Sequence, residues 1–167
     1  MEFVDIVENR IMTLSSSGSY TNVGGWPATS MRTYLNGTFY NALPSDLQGV
    51  IADTTVVSGH GSTSGEENFT STDKLYLLST KEVWNGGTGY DTADDTTRQL
   101  DYYANLGVTT SNYSGAIKNY SGSADYWWLR AAPSSNTLGF FIVNSSGDLV
   151  ANSSNASDGV SPAFRIG

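Results

Sequence analysis

The chain contains no cysteine, which excludes a disulfide framework, a thiolate metal site and a cysteine nucleophile, and leaves the redox compartment unread. Basic residues are scarce: Lys and Arg number 8 against 16 Asp and Glu, a formal net charge of −8. Proteins that bind nucleic acid draw affinity from clustered Lys and Arg on the phosphates, so this balance argues against that class of partner. No apolar run approaches the roughly 20 residues of a membrane helix. Residues 1–10, MEFVDIVENR, lack the basic start and apolar core of a secretion signal. An exported form is therefore expected to carry its signal on a longer parent chain or to leave by another route.

What remains is a chain of 167 residues rich in Gly, Ser, Thr, Asn and Tyr, with Trp and other aromatics spread along it. Disordered segments are poor in aromatics, and a chain of this size buries about two-thirds of its unfolded surface without metal or disulfide. Residues 1–167 are expected to form one domain, since neither a linker nor an internal repeat interrupts them. The same composition is used by binding loops, in which Tyr and Trp supply rigid contact area and Ser, Gly and Asn supply adaptable hydrogen bonds.

In chain order, Phe3, Val4, Ile6 and Val7 and then Ile11, Met12 and Leu14 read as short strands. The comparable strand at the other end is residues 163–166, and pairing the two would join the termini. Gly24, Gly25 and Pro27 turn the chain around Trp26; Thr29 or Ser30 caps a helix over residues 30–36 that Gly37 ends or kinks. Pro44, Ser45 and Asp46 start a second helix with the stripe Leu47, Val50 and Ile51. Residues 54–57 and 74–79 read as strands, residues 100–106 as a short helix ended by Gly107, and residues 108–123 as a polar excursion. Two dense apolar stretches bracket the C-terminal quarter: Tyr126, Trp127, Trp128 and Leu129 before it, Val160, Ala163, Phe164 and Ile166 after it. Adjacent residues of a strand face opposite sides, so Trp127 and Trp128 read mainly as scaffold, with Arg130 held by an ion pair or carbonyls. Between them, residues 140–143 and 148–151 flank Asn144-Ser145-Ser146-Gly147, a hairpin signature.

The candidate chemistry is thin. His60, the sole histidine, lies in GHGSTSG with no nucleophile motif and no phosphate-loop lysine, so an exposed polar role is favoured over catalysis. Asp91, Asp94, Asp95 and Asp101 form an acidic stretch that could supply oxygen ligands to Ca²⁺, but the spacing is not that of a calcium loop, and a solvated loop is favoured. Glu66 and Glu67 are adjacent, and no carboxylate pair stands out as acid and base for glycoside hydrolysis. Asn-X-Ser/Thr triplets at Asn36, Asn68, Asn112, Asn119, Asn144 and Asn152 are expected by chance in such a composition. No cofactor and no metal is expected.

The motifs taken together, GGWPATSMRTYLNGTFYNALP, TSTDKLYLLSTKEVW, QLDYYANLGVTT, YSGSADYWWLR, NSSGD and DGVSPAFRI, resemble bacterial and phage DUF6273 domains. They are also similar to the C-type-lectin-fold variable proteins diversified by retroelements. The resemblance spans nearly the whole chain. It implies an α+β, C-type-lectin-like fold: small twisted antiparallel sheets flanked by two short helices, N- and C-terminal strands paired, and a ligand-binding face built from the C-terminal hairpin and loops. In such proteins the varied positions lie between a WWLR-like anchor, here residues 127–130, and a closing strand, here residues 159–164. The display positions implied are Ser134, Ser135, Asn136, Thr137, Leu138, Phe140, Ile142, Asn144, Ser146, Asp148, Val150, Asn152, Ser153, Asn155, Ala156 and Asp158.

Adenine-targeted mutagenesis of AAC codons cannot produce Lys, Glu, Gln, Met or Trp, and none of these occurs from Ala131 onward. The calcium-lectin tripeptides Glu-Pro-Asn, Gln-Pro-Asp and Trp-Asn-Asp are missing, as are the cysteines of formylglycine-generating enzymes. The expectation is therefore a non-enzymatic recognition domain for a surface protein or glycan, extracellular, on a bacterial cell or a virion. The alternatives are a carbohydrate-active or hydrolytic module using loop carboxylates, and a structural or adhesive spacer.

Overall fold

The computed structural model describes residues 13–14, 20–59, 68–84, 98–133 and 137–167. They form a mixed α+β arrangement of small antiparallel sheets and short helices. β1 (Thr13–Leu14) pairs with β2 (Tyr20–Thr21). The chain then turns at Gly24 and Gly25, both with positive φ, into a 3-10 turn over Trp26–Ala28. A Cβ on Gly25 would stand 2.6 Å from the Phe69 ring, so this turn admits only glycine.

Thr29 caps α1 (Ser30–Tyr34), its hydroxyl accepting from the Arg32 N–H. Of the two outcomes expected at Gly37, an end or a kink, the end does not occur. The helix passes through a π turn over Leu35–Phe39 and continues as α2 (Tyr40–Ala42). The cause is tertiary: in that turn the Asn36 Oδ1 accepts from the N–H groups of Lys74 and Leu75 at 2.7 and 3.1 Å, and its Nδ2 donates to the Leu75 carbonyl at 2.8 Å. The extra residue of a π turn aims that side chain at the chain just beyond Asp73. α3 (Ser45–Val50) begins after Pro44 as expected, although no side chain caps it.

β3 (Thr54–Ser58) pairs in register with β4 (Phe69–Asp73). Residues 74–79, expected as a strand, cross the interior as extended chain: Leu75, Tyr76, Leu77 and Leu78 are all buried, and only Tyr76 forms a bridge, to Ala163. α4 (Thr80–Val83) follows a capping box in which Ser79 and Glu82 exchange side-chain-to-backbone hydrogen bonds. α5 (Asp101–Asn105) ends at Gly107, φ +67°. The expected polar excursion contains a hairpin, β5 (Lys118–Tyr120) with β6 (Ser123–Asp125), closed by Ser121 and Gly122, both at positive φ.

The largest sheet has the order β7 (Trp127–Trp128), β8 (Gly139–Val143), β9 (Leu149–Ser153). Its far side is closed by Gly159, bridged in parallel to Trp127, and by the Leu78 carbonyl, which accepts from the Arg130 N–H. Residues 3–7, the expected partner of the C-terminal segment, lie outside the described residues. The segment itself pairs internally. Ala163 exchanges both backbone hydrogen bonds with Tyr76, and Ile166 is bridged to Ile51. The buried side chains join in one cluster dominated by Trp26, Trp84, Trp127, Trp128, Phe140 and Phe141. Among the described residues no helix is long and apolar enough to cross a membrane.

Candidate functional site

The anchor ahead of the C-terminal hairpin is built as its residues suggest. Trp127 and Trp128 are fully buried on opposite faces of β7, and the Trp127 Nε1 donates to the Ala116 carbonyl at 3.1 Å. Arg130 is buried too. Its Nε donates to the Val57 carbonyl at 3.0 Å and its Nη1 to the Leu77 carbonyl at 2.8 Å and to the Glu82 carboxylate. Glu82 had no part in the sequence-based expectations, yet the capping-box spacing Ser79-x-x-Glu82 marks it, and the same carboxylate accepts from the Ser79 N–H at 2.7 Å.

From this anchor the chain enters β8, whose five residues are all buried. Phe140 and Ile142, expected on display, are 0% and 1% exposed and belong to the core. The register explains it: Ile142 lies opposite Trp128 and Val150, and the neighbouring Phe141 and Val143 point the other way into equally buried surroundings. A middle strand covered on both faces has no outward side.

The turn after β8 is fixed by its own side chain. The Asn144 Oδ1 accepts from the N–H groups of Ser146 and Asp148, and Gly147 sits at φ +88°. A Cβ on Gly147 would fall 2.0 Å from the Tyr113 carbonyl oxygen, so the tip is pressed onto the segment ahead of β5. Gly147→Ala is expected to cost about 1–3 kcal/mol. An unchanged urea midpoint would show that the tip can lift away.

Outward positions begin where the core ends. Thr137, Leu138, Ser146 and Asn155 are exposed; Asn144, Asp148, Val150, Asn152, Ser153 and Ala156 are half-buried; Ala151, not anticipated, is exposed as well. Asp158 is buried, and its carboxylate accepts from the Asn152 Nδ2 at 2.7 Å. Burial pushes its carboxyl above the ordinary range, against the opposing effect of that hydrogen bond. Asp158 is thus a strut for the loop and not a display residue. Ser134, Ser135 and Asn136 lie outside the described residues. The rim is held from behind by Asn22, whose N–H donates to the Thr137 carbonyl and whose Nδ2 donates to the Gly139 carbonyl. No Lys or Arg occurs between Ala131 and Phe164, so contact there would rest on hydrogen bonds, apolar area and the half-buried Asp148 carboxylate.

The closing stretch departs from expectation. Val160 is buried, but Phe164 and Ile166 are 40% and 71% exposed, because the end of the chain runs across the surface and pairs through its backbone. His60, Glu66, Glu67, Asp91, Asp94 and Asp95 lie outside the described residues. Asp101 is committed to Arg98, 2.6 Å away. Among the described residues no group of three or more His, Cys, Asp or Glu could hold a metal ion.

Residues 5–167 match a family described as "Domain of unknown function (DUF6273)". The chain belongs to this DUF6273 family. No curated protein and no solved structure matches it. The match takes in every element that builds the DUF6273 rim, from the Asn22 brace through the Arg130 anchor to the Asp158 strut.

Proposed function

We propose that this DUF6273 chain is a single, non-enzymatic recognition domain with a C-type-lectin-like fold, displaying its C-terminal rim to a protein or glycan on a cell or virion surface. We infer that it acts outside the cell and that a retroelement diversifies the rim. The observation that carries this reading is the division of labour in the hairpin. β8 is buried along its whole length, while Thr137, Leu138, Ser146 and Asn155 are exposed on the rim around it. Such a rim can change its residues without changing its backbone, and a pre-ordered surface avoids the entropy lost when flexible loops bind.

Replacing Thr137, Leu138, Ser146 and Asn155 together by alanine is expected to abolish ligand binding on glycan and surface-protein arrays. Each change should move stability by no more than about 0.5 kcal/mol. Full retention of array binding by the folded variant would sink the proposal, and so would a wild-type chain that binds nothing on either array. For diversification, the decisive observation is a neighbouring reverse-transcriptase gene with a near-copy of the coding region for residues 131–166, differing at adenines.

A further inference from the structure

A concave site shares no residue with the rim, although the hairpin tip at Gly147 packs beside one of its walls, Ile117. It is a groove of about 300 Å³ between α5, the chain leading into β5, and residues 161–164. That volume is at the lower end for small-molecule sites. Its walls are apolar and aromatic: Leu100, Tyr102 and Tyr103 on one side, Ile117 and Phe164 on others. Tyr102 is 65% exposed, and Leu100, Ile117 and Phe164 are also exposed, so apolar surface gathers around the opening. Among the described lining residues Lys118 is the one charged side chain. Its Nζ donates to the Ser161 hydroxyl at 2.6 Å and stands 4.6 Å from the centre of the Trp127 ring.

We propose that this groove binds a small organic carboxylate with a flat apolar body, its acid group at Lys118 and Ser161. An ammonium beside a hydroxyl offers adjacent donors suited to the two oxygens of a carboxylate. A dianionic phosphate would face one cation on a chain of net charge −8, a poor match. The flat body follows from the walls, where the exposed Tyr102, edge to face with the buried Tyr103 at 5.0 Å, offers ring surface for offset contact. Burial lowers the Lys118 ammonium to about 8, which leaves it mostly protonated at neutral pH.

The test is calorimetric titration at pH 7 with 1-naphthylacetate and with its neutral counterpart, 1-naphthaleneethanol. The acid is expected to bind one to one and about tenfold more tightly than the alcohol, the difference set by the charge-assisted contact. Lys118→Met should abolish the preference. Phe164→Glu, which replaces part of the apolar wall by a like charge, should weaken both ligands and the acid the more, so that the preference shrinks, and it decides the matter if the lysine variant does not fold. Equal affinity for acid and alcohol, no binding of the acid at millimolar concentration, or a preference that survives both substitutions would overturn the proposal. The rim quadruple variant should bind the acid as the parent does, so failure of the rim and failure of the groove are read separately.

Discussion

Replacing Arg130 by methionine is expected to remove about 3–5 kcal/mol of stability, a large share of the roughly 5–15 kcal/mol that holds a typical domain folded. The guanidinium is 1% exposed and reaches the Val57 and Leu77 carbonyls as well as the Glu82 carboxylate. Methionine fills much of the space but leaves a buried carboxylate without its cation and two carbonyls without that donor. The cost arises from those stranded groups more than from the lost attraction. Glu82→Gln combined with Arg130→Met should therefore cost less than the two changes summed. Lysine should not rescue the site, because one ammonium cannot reproduce a fork that spans two backbone segments and an acid. Urea unfolding followed by circular dichroism compares the parent with all four variants: Arg130→Met, Glu82→Gln, their combination and Arg130→Lys. An Arg130→Met loss below about 1 kcal/mol would refute the argument.

The second large effect is expected at Asp73. Its carboxylate, buried at the end of β4, accepts from the Trp26 Nε1 at 2.9 Å and the Ser71 hydroxyl at 2.8 Å on one oxygen, and from the Arg32 Nε at 2.6 Å on the other. This one group ties the 3-10 turn and α1 to the β3–β4 ladder. Asp73→Asn turns one of the two accepting oxygens into a donor that faces another donor, and Asp73→Ala leaves the buried indole N–H without this acceptor. Either change is expected to cost about 3 kcal/mol, the scale of hydrogen bonds to a charged group. Arg32→Gln should cost only about 1 kcal/mol, since the Arg32 side chain is 28% exposed and water replaces part of the interaction. Equal losses for Asp73→Asn and Arg32→Gln would mean that the ion pair, not the buried hub, carries the energy.

How far the architecture could be read in advance depended on whether the signal was local. The hairpin at residues 144–147 was legible because Asn and Gly at a tight turn act through their own backbone. The role of Arg130 was legible because a charge set among Trp and Leu must be compensated. Phe140 and Ile142 were misplaced because the resemblance carried the display positions through GFFIV, a continuous apolar run that itself signals a strand covered on both faces. At Gly37 the choice between an end and a kink was not legible: glycine disfavours helix by about 1 kcal/mol, but the Asn36 grip on residues 74–75 carries the helix on through a π turn. The groove at Lys118 was beyond sequence, since it joins residues near 100, 117 and 163 that meet only in the fold.

The brace behind the rim has a consequence for how the protein forms. Thr21 and Asn22 bond to Thr137 and Gly139 across 116 and 117 positions of chain, and Ala52 bonds to Arg165. Contacts so distant along the polypeptide repay their loop-closure entropy only after most of the chain has gathered, which slows folding. During synthesis the rim can be stitched shut only once residues 137–139 have emerged, more than a hundred positions after its brace. A ligand met before that moment would find the hairpin without its brace.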